Sequence, residues 1–151
     1  LTVTGDLAVG GKAAITGDLK DGDGNTYVIG TKTWSTYTPT TTGWSSITSS
    51  AYRYATIGKT CLLTILITSG TSNATTASVS LPIKAATIGS GLGVSGTWGA
   101  AMDNSVGLTA AGRWVITSGG TTVHFYKDMW VGTWTASGAK RIYAQIIYET
   151  E

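Results

Sequence analysis

The sequence predicts an all-β chain: a short trimeric β-structured shaft followed by a β-sandwich head of jelly-roll type. Three observations carry this. Thr (28) and Ser (14) crowd a chain of 151 residues of which only 12% are charged, and the branched Cβ of Thr suits a pleated surface. Twenty-one glycines serve the turns between strands. Leu, Glu, Lys and Arg, the residues of long helices, are scarce. A domain of this length buries roughly 68–70% of its unfolded surface and needs no disulfide or metal to stay folded.

Residues 1–26 form the expected shaft. "VTGDL" at 3–7 returns as "ITGDL" at 15–19, an offset of twelve. Each copy reads as a short alternating strand closed by a Gly-Asp turn. Val3, Leu7, Ile15 and Leu19 have too few apolar partners within two copies, so such units need neighbours from other chains. Three chains wound together supply them. The chain opens at Leu1 inside a repeat, as the C-terminal piece of a longer protein would.

Residues 27–50 read as a connector rich in Thr, Ser and Trp, where Pro39 bars a central strand. The head is expected over 51–151. "AYRYATI" turns at Gly58-Lys59 into "TCLLTILIT". There Cys61, Leu63, Ile65 and Ile67 share one face and Leu62, Thr64 and Leu66 the other. Two apolar faces predict a central strand covered on both sides. "TASVSLP" places Ala77, Val79 and Leu81 inward. "GRWVITSGGTTVHFYK" reads as a hairpin with Gly119-Gly120 as a two-residue loop. "KRIYAQIIYE" puts Ile142, Ala144, Ile146 and Tyr148 on one face. The Gly-rich stretch 88–112 reads as long loops with one or two short strands.

The order Trp34-Ser35-Thr36-Tyr37-Thr38-Pro39-Thr40, then Tyr52-Arg53-Tyr54 with Ile57-Gly58-Lys59-Thr60-Cys61, then Gly70-Thr71-Ser72-Asn73-Ala74-Thr75-Thr76 through Leu81-Pro82, resembles the C-terminal head of bacteriophage tail fibres and related receptor-binding tail proteins. The "TGDL" copies look like the end of the trimeric shaft upstream of such heads. The resemblance covers residues 1 to about 84. It implies a homotrimeric fibre tip in the virion that attaches to a bacterial surface glycan: lipopolysaccharide, capsule or teichoic acid. It also implies contact with other tail proteins through an upstream part.

Composition excludes several classes. Net charge is +2, with ten scattered Lys and Arg, so no nucleic-acid footprint exists. No stretch reaches the roughly 18 apolar residues of a membrane span, so no membrane insertion is expected. Cys61, the only cysteine, sits in an apolar run and reads as a buried structural thiol. No cofactor is expected. "DGDGN" at 21–25 starts like a calcium loop but has Thr26 at loop position 6 and Lys32 at position 12. "GKT" at 58–60 lacks the upstream glycine, with Arg53 in its place, and a strand follows it.

No catalytic residues are assigned. His124 is the only histidine and alternates with Val123 and Phe125 on a strand. Glycan cleavage needs two carboxyl groups roughly 5–9.5 Å apart; Asp103 and Asp128 could meet through loops, but nothing in the sequence requires it. Aromatic rings stack on sugar C–H faces while polar neighbours bond the hydroxyls. Trp34 and Trp44 are expected at a junction or between chains and Trp114 in the core. Trp98, Trp130 and Trp134 fall in or near loops. They are the expected ligand platforms, with Asp103, Asn104, Lys127 and Asp128 as polar partners. The leading expectation is a glycan-binding tip without catalysis. The alternatives are a structural virion fibre or capsid decoration protein and a polysaccharide-degrading tail enzyme.

Overall fold

The computed structural model describes residues 33–89 and 93–151 in full, and the backbone of Leu19–Lys20 and Thr26–Tyr27. The chain divides into two compact units, Leu1–Thr31 and Lys32–Glu151. In the first, β1 (Leu19–Lys20) pairs antiparallel with β2 (Thr26–Tyr27). The rest of the expected shaft lies outside the described residues.

The second unit is all-β, two antiparallel sheets packed as a sandwich. One sheet has six strands. It is built on a long hairpin of β5 (Trp44–Ile57) and β6 (Thr60–Ser72), flanked by β3 (Ser35–Thr36) beside β5 and by β13 (Arg141–Glu149), β9 (Ala100–Asp103) and β10 (Val106–Gly107) beyond β6. The other sheet runs β4 (Thr41–Thr42), β7 (Ser78–Ser80), β12 (Thr122–Tyr126), β11 (Gly112–Thr117), β8 (Gly93–Trp98). The expected connector is therefore strand over much of its length: β3 and β4 lie either side of Pro39 as edge strands, where a missing N–H costs no ladder bond, and β5 begins at Trp44.

Period-2 patterning makes the core. Cys61, Leu63, Ile65 and Ile67 of β6 and Ile142, Ala144, Ile146 and Tyr148 of β13 face Val79, Trp114, Ile116, Val123 and Phe125 of the other sheet. Burial of a side chain of this size contributes about 1.5–3 kcal/mol each. The turn at Gly58-Lys59 has the expected two residues, with Gly58 at φ +56°. The β11–β12 connection is longer than expected: it spans residues 118–121, and a turn bond from Gly120 N–H to Thr117 O lies inside it.

The Gly-rich stretch also departs from expectation, since it carries β8, β9 and β10. Two of its glycines seat tryptophans. Gly112 pairs with Trp98 and Gly96 with Trp114 across β8 and β11. A Cβ at either glycine would overlap the facing indole. Each bare backbone thus makes room for a ring that fills the core.

The outer faces differ. Beyond β11 and β12 the sheet presents His124, Arg113, Ser95 and Thr97. The outer face of the six-stranded sheet alternates two apolar rows, Ala51–Leu66–Tyr143 and Ala55–Leu62–Ile147, with the polar row Arg53–Thr64–Gln145 between them. β6 is central, as expected. Its second face is only half-buried, so within the described unit the sandwich covers one face of it and not both.

Candidate functional site: an aromatic turn at 127–132

β12 ends at Tyr126, and the chain leaves the sheet through "KDMWVG". Asp128 organises this turn. Its Oδ1 accepts from Trp130 N–H at 2.8 Å and Gly132 N–H at 2.7 Å, an Asx arrangement that lets a side chain replace the backbone acceptor. Lys127 N–H donates to Gly132 O at 3.1 Å and closes the loop. A Cβ at Gly132 would overlap the Asp128 carboxylate and displace it from these bonds. Val131 sits at φ +62°, a conformation costly for a β-branched residue.

This turn puts three consecutive large apolar side chains into solvent. Met129 is 47% exposed, Val131 50% and Trp130 90%. Exposure of a whole indole opposes the hydrophobic effect, and strain at Val131 adds to the cost. The surrounding bonds hold both in place. Such stored cost concentrates at recognition sites.

The base of the turn is rigid. Asp103 is buried, and its carboxylate accepts from Thr135 N–H at 2.9 Å, Thr135 Oγ1–H at 3.0 Å and Lys127 Nζ at 3.3 Å. Trp134 N–H donates to Thr75 O and its Nε1–H to Phe125 O. Behind it Trp98 and Trp134 stack, with centroids 5.8 Å apart and planes 18° from parallel. Lys140 then enters the core completely buried. Its ammonium donates to Gly43 O, Ala74 O and Thr76 O at 2.9–3.0 Å. It also lies 5.4 Å from the ring centroids of both Trp44 and Trp134. Burial pulls its pKa down to about 8, with Asp103 opposing, so it is charged at neutral pH.

These positions correct part of the sequence-based site. Trp98 and Trp134 are 3% and 2% exposed: their rings pack on each other and offer no platform to a large ligand. The Asp103 carboxylate is occupied by its three bonds. Asp128 gives its Oδ1 to its own turn. Asn104 is a turn residue. It and Ser105, at φ +48° and +68°, join β9 to β10, and its Oδ1 accepts from Ser137 Oγ–H. Lys127 joins the turn to Asp103. Of the expected platforms, Trp130 alone is open. Trp44 belongs to the chain's own core, its Nε1–H bonded to Lys140 O. Trp34 is half-exposed and carries the Arg53 guanidinium 5.6 Å above its ring.

Sequence reasoning missed Lys140. The signal was present: Lys140 shares the period-2 phase of Ile142, Ala144, Ile146 and Tyr148, which points it inward.

Among the described residues, no group of three or more His, Cys, Asp or Glu is placed to hold a metal ion. Comparison with protein-family models, curated proteins and solved structures found no match for this chain.

Proposed function

We propose that this chain is the tip of a homotrimeric bacteriophage tail fibre that attaches the virion to a bacterial surface glycan without catalysis. The observation that carries the reading is Trp130, a fully presented indole on a strained turn whose backbone the Asp128 bonds fix. A backbone already held in place spares part of the ordering cost when its aromatic ring stacks on a sugar. Weak single contacts then suffice, because three linked sites raise avidity by roughly 10²–10⁴. The resemblance of residues 1–84 to tail-fibre heads supports the virion assignment.

The test uses the full chain, fluorescently labelled, on a panel of bacterial strains with defined surface glycans. A scattering mass about three times 15.6 kDa, with saturable binding to some strains that the purified glycan competes away, is the expected result. A monomer that binds no strain overturns it. Release of reducing ends from the glycan would favour the enzyme alternative.

A further inference from the structure

A second site lies where the two sheets separate. β8 runs toward the six-stranded sheet, bends at Gly99 and continues as β9, which pairs with β13 only at Arg141, Ile142 and Tyr143. At the far end, Glu149 O accepts from Ala86 N–H on that same edge, while Thr150 N–H donates to Lys59 O on the other. Backbone groups of an antiparallel strand alternate between its two edges. The N–H and C=O of Gln145 and Ile147 therefore face the gap. No strand pairs with them among the described residues.

The gap opens into a cleft of about 560 Å³. That is within the small-molecule range of roughly 300–1,000 Å³. No residue of 127–132 lines it. Thr64, Thr97, Gln145 and Tyr143 supply side-chain hydroxyls and an amide, and Leu66 an apolar surface. Among the described residues no charged side chain lines it, so neither a phosphate nor a carboxylate finds a counter-charge there. Trp98 also lines the cleft. Its Nε1–H is closed to solvent and has no acceptor among the described residues, so it stands in the wall of the cleft as a reporter and bonds no occupant. The lining suits an uncharged occupant with several hydroxyl-type partners.

We propose that this cleft binds a neutral saccharide of two or three rings, with Thr97 and Gln145 as recognition residues. The inference rests on the glycan-binding reading and gives it a subsite separate from Trp130. The test is an NMR titration of the full chain, following the Trp98 indole N–H with maltotriose, lactose and chitotriose as probes up to about 20 mM, since single-site sugar binding falls near the millimolar range. At least one probe should move that resonance saturably. Gln145→Leu and Thr97→Val, both at exposed positions, should each weaken the response about tenfold, whereas Trp130→Ala should leave it unchanged. Silence of Trp98 toward all three probes, or a response that survives both substitutions, overturns the proposal. So does a shift that follows protein concentration alone, because a second chain would then fill the cleft. Cell attachment with a silent Trp98 removes the cleft and leaves the tip reading. A Trp98 response without attachment to any strain upholds the cleft and removes the tip.

Discussion

Replacing Lys140 by Met changes the pH dependence of stability in a direction the structure fixes. Lys140 has a folded pKa of about 8 against 10.5 for a free lysine. Between those values the unfolded chain holds a proton that the native chain has released. Stability therefore rises with pH through that window. The shift corresponds to about 3 kcal/mol in total, at ~1.4 kcal/mol per pH unit. At pH 7 the charged ammonium serves three backbone carbonyls, and Met serves none of them. Burial also raises the pKa values of Tyr37, Tyr52, Tyr148 and Cys61. These groups deprotonate first in the unfolded chain, so they lower stability above about pH 9–10. They are present in both proteins and cancel in the difference. The assay is urea unfolding followed by tryptophan fluorescence at pH 7, 8, 9 and 10. Wild-type stability minus that of Lys140→Met should climb by about 2–3 kcal/mol across the series. A flat or falling difference would refute the account of a buried, destabilised ammonium.

Three further outcomes follow from packing. Gly132→Ala drives a Cβ into the Asp128 carboxylate and should cost about 1–3 kcal/mol in urea unfolding, with weaker binding to any glycan that Trp130 contacts. Gly112→Ala overlaps the Trp98 indole and should lower stability by about 1–3 kcal/mol, or more if the ring cannot move, measured by the same unfolding curve. Cys61 is buried, and burial pushes its thiol up. It should therefore resist a thiol reagent such as DTNB in the native protein and react within minutes in urea. Rapid native labelling would contradict its place in the core.

The sandwich was legible where residues repeat with period 2. β6, β11, β12 and β13 alternate cleanly, and their inward faces form the core as the pattern requires. β8 and β9 were not legible, because glycine carries no side chain for a pattern to register. Gly96 and Gly112 act through the indoles across from them, a pairing between strands that sequence order does not display. The start of the sandwich was read too late for a related reason: β3 and β4 are two-residue edge strands, and the first half of β5 is polar and bulged. At the candidate site, the tryptophans were visible but their directions were not. Trp98, at the end of β8, shares the inward phase of Gly96. Trp134 is pulled in by the Phe125 carbonyl. Trp130 is turned out by Asp128, two residues before it. Burial of Trp134 thus depended on a hydrogen bond to β12, and that of Trp98 on its phase in a glycine-rich strand, neither of which composition reveals.

The most direct test of the central claim is equilibrium binding of labelled full chain to susceptible cells, compared between wild type and Trp130→Ala. The side chain is 90% exposed, so its removal should leave the unfolding curve and the scattering mass unchanged. Binding should fall at least about tenfold, as loss of a single aromatic anchor at a multivalent surface implies. Undiminished binding by Trp130→Ala would contradict the account.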